Sequence, residues 1–312
     1  MIGIDVGGAN LKVATGDGIF IHYCPLWQET PIRELLLRYG TPGEEAAVVM
    51  SGELADCFSS KAEGIRFIVE AVREVFPGAQ FYGTDAAFHD SAVPELAAAN
   101  WLVSADFLMD RYPGSLLVDL GSTTTDIIPL LTMEALRGLT DLDRLQQGYL
   151  VYTGLLRTSI PALIREVNLD GVPTPVCPEF FAMSADVHLV LSHITEEEYT
   201  VVPPDGKGKD RVTAMRRLAR VVCADLEEIG EEGACAIAHA FWEAQRGLLL
   251  CAIQKAAGRC HTGEVLCAGV GADLVSRLAG GRNLAEELGT AADALPAFAV
   301  REVALRRPGR SH

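Results

Sequence analysis

Short apolar runs of about five residues, separated by glycine turns, dominate the start of the chain. Ile2 to Val6, Leu11 to Thr15 and Ile19 to Tyr23 read as three strands of a meander, with Gly7-Gly8 and Gly16-Asp17-Gly18 as its turns. A helical pattern follows near Pro31 to Tyr39. Next come an apolar strand, Ala46 to Met50, and an amphipathic helix from about Ser60 to Val75, ended by Pro77-Gly78. The strand Gln80 to Gly83 leads through the polar segment TDAAFHD to an Ala-rich helix from about Pro94 toward Phe107. Strands alternating with helices predict an α/β layer structure.

After Tyr112-Pro113-Gly114 the pattern starts over, because Leu116 to Leu120 and Thr125 to Leu130 form a second strand-turn-strand. The boundary is therefore placed there. An N-terminal α/β domain spans 1–112, a second α/β domain spans 113–285, and a C-terminal segment, 286–312, packs back on the body. The tail from Arg306 is expected to fray. Inside the second domain a polar loop, Pro203 to Asp210, precedes two helical stretches, about Thr213 to Ile229 and Ala234 to Ala257. The strand Val265 to Ala268 then runs into Gly269 and a further helix.

Composition narrows the function. Over 312 residues, 26 Lys plus Arg face 42 Asp plus Glu, a formal charge of -16. Such a surface repels phosphate backbones and anionic lipid, so neither nucleic acid nor membrane is an expected partner, and any anionic ligand needs local devices to hold it. The most apolar stretch, Gly247 to Ile253, is too short to span a bilayer, and no basic leader precedes Met1-Ile2. The expectation is a soluble, cytoplasmic protein. Eight cysteines contain no C-x-x-C pair, which predicts buried reduced thiols rather than a zinc site.

The two openings match. Ile4-Asp5-Val6-Gly7-Gly8-Ala9-Asn10 and Val118-Asp119-Leu120-Gly121-Ser122-Thr123-Thr124 both run apolar, Asp, apolar, Gly, small, small, polar. Each sets a carboxylate near the end of a buried strand, then a glycine turn whose N–H groups can converge on an anion. Facing each other, they would grip a polyphosphate through Gly7, Gly8, Asn10, Gly121, Ser122, Thr123 and Thr124. Asp5 and Asp119 would hold a hydrated Mg²⁺ between them. A dinucleotide fingerprint fails at the N-terminus, because Leu11 to Thr15 is strand-like where it needs a helix. A third glycine turn, Gly269-Val270-Gly271, lacks the third glycine of such a fingerprint and suits a nucleoside or another flat group.

Together these three segments resemble the two phosphate motifs and the adenosine motif of the actin/Hsp70/sugar-kinase superfamily. More narrowly, Val118 to Asp126 resembles the hydantoinase A/oxoprolinase family. The blocks GIDVGGANLK from Gly3, SGELADCFSSKAEGI from Ser51, AAANW from Ala97, LVYTGLLRTSIP from Leu150 and RLARVVCADLE from Arg217 are similar to its short members, linked to tetrahydromethanopterin-dependent one-carbon metabolism. The resemblance implies a two-domain, ribonuclease H-like α/β fold with duplicated phosphate-binding hairpins and an interdomain cleft. It also implies an alkyltransferase of methanofuran or methylofuran biosynthesis. That enzyme joins an aminomethylfuran-methyl diphosphate to the phenol of γ-glutamyltyramine, or of a tyrosine-derived analogue, and releases diphosphate. The implied cofactor is Mg²⁺ and the implied partners are small molecules, with the oligomeric state left open and a homodimer allowed for. Two alternatives stand beside this reading: an ATP-dependent small-molecule kinase and a non-catalytic nucleotide-binding protein. Ala9-Asn10 stand where kinase-like members carry Thr, which speaks against ATP turnover.

The implied chemistry needs a diphosphate clamp, to which Lys12 adds a point charge, and a base for a phenol of pKa ~10. The candidate bases are Glu53, Asp85 and Asp126, with Asp126 favoured for its place after the second phosphate turn. Glu63 fits a helix cap made with Ser59 or Ser60. The basic run Lys207, Lys209, Arg211, Arg216, Arg217 and Arg220 is either a solvated, ion-paired face or a site for glutamyl carboxylates. His89-Asp90 has no companion histidines arranged for a metal. Trp27, Trp101 and Trp242 are read as core residues that could also stack on rings.

Overall fold

The computed structural model describes residues 1–27, 32–40, 44–260 and 263–307. The first sheet contains β1 (Ile2–Val6), β2 (Asn10–Ala14), β3 (Ile19–Tyr23), β4 (Ala46–Met50), β5 (Gln80–Tyr82) and β6 (Phe88–His89), in the order β3-β2-β1-β4-β5-β6. The second contains β7 (Leu116–Leu120), β8 (Thr125–Pro129) and β9 (Leu150–Val151). A small hairpin of β10 (Glu166–Leu169) and β11 (Val172–Pro175) precedes its last strands, β12 (Val265–Ala268) and β13 (Arg282–Asn283). Its order, β13-β12-β7-β8-β9, repeats the first sheet. In both, the opening three strands form an antiparallel meander, and the next two join parallel on the far side of the first strand. This is the duplicated, ribonuclease H-like α/β arrangement that the resemblance implies.

β1 and β4 are buried along their whole length, as parallel strands covered on both faces must be. One cover comes from the end of the chain. The helix Leu295–Leu305 lies so close on β1 that a Cβ at Gly3 would sit 2.0 Å from the carbonyl oxygen of Ala297. The C-terminal segment thus packs back on the first sheet, and the helix Asn100–Met109 packs beside it.

Two predicted helices are broken in the structure. The stretch from Pro94 is a 3-10 turn, Pro94–Leu96, separated from Asn100–Met109 by Ala98 in the left-handed region (φ 47°). The stretch 213–229 divides into Arg211–Arg220 and the start of Leu226–Ala257. Asp225 and Glu228 form a capping box at the new start, and Gly230 (φ 63°, ψ 179°) kinks the long helix soon after. Asp225-x-x-Glu228 spells that cap in the sequence, so the break was readable there. Of the cysteines, Cys24 and Cys267 are buried as expected, whereas Cys57, Cys223 and Cys251 are exposed; all eight are free. No described helix is long and apolar enough to cross a membrane. Of the predicted frayed tail, residues 308–312 lie outside the described residues.

The four arginines of the basic run meet carboxylates of the protein itself, while Lys209 lies over the Tyr199 ring. Arg211 meets Glu231, Arg216 meets Glu227, and Arg220 meets Asp205. Arg217 is fully buried. It donates to Asp186 Oδ1 at 2.7 and 2.8 Å and to Asp205 and the Gly208 carbonyl, while Tyr199 completes the shell of Asp186. The arginines thus follow the ion-paired reading of this cluster. A buried pair that loses one partner leaves a charge without compensation, at a cost of about 3–5 kcal/mol. Arg217→Met is expected to lower stability by that amount in urea unfolding. An Asp186→Leu/Arg217→Met double variant should recover much of the loss.

Candidate active site

The repeated strand pair sets the geometry. Gly7 N–H closes the first turn on the Asn10 carbonyl at 2.9 Å, and Gly121 N–H closes the second on the Thr124 carbonyl at 3.0 Å. In each hairpin the Asp faces a cross-strand partner, Asp5 opposite Lys12 and Asp119 opposite Asp126. Directly paired residues of a ladder project from the same face, so each turn carries a pair of polar groups at its base. Lys12 Nζ stands 3.8 Å from Asp5 Oδ2 and also lowers the pKa of Asp119 and Asp126 across the gap. Asp5 in turn feels Asp126, and Asp119 feels Asp5. The acids of the two hairpins and Lys12 therefore lie within electrostatic reach of one another.

Among the described residues, the N–H groups of Gly8, Ala9, Ser122 and Thr123 have no hydrogen-bond acceptor, and neither do the side chains of Asn10, Ser122, Thr123 and Thr124. The turn carbonyls are used. Gly8 and Ala9 accept from Leu26 and Cys24, while Gly121 and Ser122 accept from Leu155, Leu156 and Arg157. Both turns are thus pinned through their oxygens and free at their donors, the polarity that an anion site requires. Close support comes from glycines: a Cβ at Gly52 would meet Gly7 at 2.9 Å, and one at Gly154 would meet Ser122 at 2.6 Å.

The acids are held at a cost. Asp5 is buried, its Oδ1 has no hydrogen-bond partner, and desolvation pushes its pKa up against the pull of Lys12. Burial pushes Asp119 up to about 7, with Lys12 opposing and Asp126, Asp5 and Asp293 adding to the rise. Asp126 is also raised by burial, although Arg144 pulls it down. The Arg144 guanidinium donates to Asp126 Oδ1 and to Asp141, and its face lies over the Trp101 ring at 4.5 Å. Asp126 Oδ2 is left without a hydrogen bond among the described residues. No group of three or more His, Cys, Asp or Glu there converges on one metal position. Mg²⁺ commonly takes one or two carboxylates and completes its shell with water and substrate phosphates. An orphaned buried carboxylate oxygen beside a second acid fits that pattern.

The other predicted residues separate. Glu53 is buried, with Oε2 unpartnered and its pKa raised by desolvation, Lys61 opposing and Asp141 adding to the rise, and its neighbour Gly52 packs on Gly7. The structure does not bring Asp85 to the turns. It lies in the β5–β6 connection at the sheet edge, β5 being the second strand from β1 and β6 the third, roughly 10–14 Å at ordinary strand spacing. Burial would raise it, but the His89 hydrogen bond at 3.1 Å and the Ala87 N–H hold it low, so it is a weak base. Gly269 and Gly271 are spent on packing. Their N–H groups bond Ala292 and Leu120, and a Cβ at Gly269 would meet Asp119 Oδ1 at 2.2 Å. Of the tryptophans, Trp101 is core, whereas Trp27 is exposed. Sequence reasoning missed Asp293, Arg144 and Trp101 as members of the site, since they arrive from three distant segments with no local motif.

The unfolded chain ionises Asp119 near pH ~4, whereas the folded protein holds its proton to about 7. Between those values the folded form binds the extra proton, so stability falls as pH rises through that window. Asp119→Asn is expected to flatten this slope. Thermal unfolding should show a gain in midpoint at about pH 8 that shrinks toward about pH 5.

The hydantoinase/oxoprolinase family profile matches residues 44–299. The (4-{4-[2-(γ-L-glutamylamino)ethyl]phenoxymethyl}furan-2-yl)methanamine synthase of Methanocaldococcus jannaschii is 36% identical over 287 residues, covering 88% of this chain and 87% of that protein. The enzyme of the same name from Methanococcus vannielii is 35% identical over 160 residues, 51% of this chain and 72% of that protein. Among solved structures, nucleotide-free acetone carboxylase aligns with 93% of this chain and 51% of its own, at 13% identity and a TM-score of 0.45. A non-polymerising mutant of MamK bound to AMPPNP aligns with 98% of this chain and 97% of its own, at 13% identity and a TM-score of 0.39. By the extent of the profile and of the first relative, the chain belongs to the hydantoinase/oxoprolinase family.

Proposed function

We propose that the chain is a Mg²⁺-dependent alkyltransferase that makes the furan–phenol ether named in its methanogen relatives. The observation that carries this reading is the pair of turns, each with two free N–H groups above an aspartate, Asp5 buried and Asp119 half-buried. A diphosphate ester is the substrate class that such a clamp suits, and the relatives' names supply the acceptor, a γ-glutamyltyramine-type phenol.

In the proposed reaction the phenol oxygen forms a bond to the exocyclic methylene of an aminomethylfuran-methyl diphosphate. The bond from that carbon to the diphosphate oxygen breaks. The electron-rich furan supports positive charge on the methylene, while negative charge spreads over the departing diphosphate. The Gly8, Ala9, Ser122 and Thr123 N–H groups meet that charge with preorganised donors, assisted by the hydroxyls of Ser122, Thr123 and Thr124 and by Lys12. Asp5 and Asp119 would hold Mg²⁺, which when bound would neutralise charge on the leaving group. The phenol proton passes to Asp126 Oδ2, the oxygen that Arg144 leaves free, and Arg144 fixes its orientation. Glu53 and Asp85 are not assigned this step. No observation favours the kinase alternative, since the Gly269 turn uses its donors and its space within the protein.

The direct test is mass spectrometry of protein, Mg²⁺, the furan diphosphate and γ-glutamyltyramine. The ether and diphosphate should appear in equal amounts; phosphorylated phenol formed only with ATP would sink the reading. Asp126→Asn is expected to lower kcat by about 10²- to 10⁴-fold while leaving diphosphate binding within a few-fold. Ionised Asp119 is needed to hold the metal, so Mg²⁺ affinity by calorimetry should tighten from about pH 6 to pH 8, with proton release at the lower pH.

A further inference from the structure

The segment after each turn carries a side chain that the mechanism above leaves unused. Leu26 N–H bonds the Gly8 carbonyl at 2.9 Å, and the next residue is Trp27. Arg157 N–H bonds the Ser122 carbonyl at 2.9 Å. The two side chains meet, with the Arg157 guanidinium over the Trp27 ring at 4.7 Å. One contact therefore ties the backbone next to the first turn to the backbone next to the second. Arg157 makes no side-chain hydrogen bond and no ion pair among the described residues. That sets it apart from Arg144, Arg211, Arg216, Arg217 and Arg220, each paired with a carboxylate.

A stacked guanidinium gives its face to the ring and keeps its in-plane N–H donors free. In a chain of net charge -16, a cation left without an acid beside an anion clamp is a local device for holding polyanions. We propose that Arg157 is a ligand of the substrate's diphosphate, contributing a bidentate fork to the outer phosphoryl group, and that Trp27 holds it at the junction of the two turns. This rests on the diphosphate reading above and adds a residue to it. Trp27 acts here as a positioning residue through Arg157, so an aromatic replacement should keep the function and an aliphatic one should lose it.

The test is calorimetric binding of inorganic diphosphate with Mg²⁺, run beside steady-state kinetics. Arg157→Met is expected to weaken diphosphate binding by at least about tenfold, the scale of a lost charged hydrogen bond. Arg157→Lys should recover part of it, because the charge returns without the fork. Trp27→Phe should bind within about twofold of wild type and Trp27→Leu should not. The KM for the furan diphosphate should rise with the diphosphate Kd, while the KM for the phenol stays constant. Wild-type protein that does not bind diphosphate, or Arg157→Met that binds it as tightly as wild type, overturns the proposal. Should wild type bind diphosphate through Arg157 but form no ether, the clamp stands and the alkyltransferase reading falls.

Discussion

A local excess of buried and half-buried carboxyl groups organises the centre of this protein. Asp5, Asp119, Asp126 and Asp293 approach one another around Lys12, and burial pushes the pKa of each of the four upward. Arg144 offsets Asp126 and leaves the other three with Lys12. Interiors do not keep poorly compensated carboxyl groups for stability, since desolvation exceeds what a single lysine returns. A strained electrostatic balance of this kind is settled by a ligand that brings positive charge with it. The β ladder adds an asymmetry: register places Lys12 and Asp126 at equivalent positions of the two hairpins, with opposite sign. A single duplicated template thus sets a cation at the base of one turn and a carboxylate at the base of the other.

The glycines that matter most lie beside the turns as well as in them. Gly52 and Gly154 let neighbouring loops press on Gly7 and Ser122, and Gly269, at φ 82°, makes room for the carboxylate of Asp119. Behind the second turn a buried network stiffens the same loop. Gln245 donates to Thr153 Oγ1 and to the Gly154 carbonyl, both at 2.9 Å, while its own oxygen is bonded by His188 Nε2. Burial drives His188 down to about 3, so the ring stays neutral at any working pH and the network does not switch with protonation. Rigid donors are what a transition state with developing charge rewards, because no reorganisation is then needed during the reaction.

Much of this was legible before any coordinates. Strands β1, β4, β7 and β12 fall where the apolar runs placed them, since buried strands of parallel sheets are continuous apolar runs bounded by turn residues. The repeated Asp-apolar-Gly pattern located both hairpins because backbone chemistry is written locally, in glycines and small residues. What failed to show were the groups recruited through space. Arg144, Trp101 and Asp293 come from a capped helix, a core helix and a 3-10 turn, none with a signature of its own. The third glycine turn is less legible: Gly269 and Gly271 let Asp119 and Leu120 fit against them, and the same letters serve packing as well as ligand approach.

The acidity of the whole chain and the polarity of its centre belong to one design. A net charge of -16 spread over the surface acts at ranges where salt screens it, since the Debye length is only about 8 Å at physiological ionic strength. Groups in contact with a bound anion are not screened in that way. Four N–H donors and Lys12 in contact with an anion would outweigh distant carboxylates that act through water. The surface charge then disfavours extended polyanions without deciding what the turns hold. Affinity for a small polyanion in the proposed site would therefore depend on groups in contact with it, the turn N–H groups, Lys12 and Arg157, rather than on the net charge of the chain.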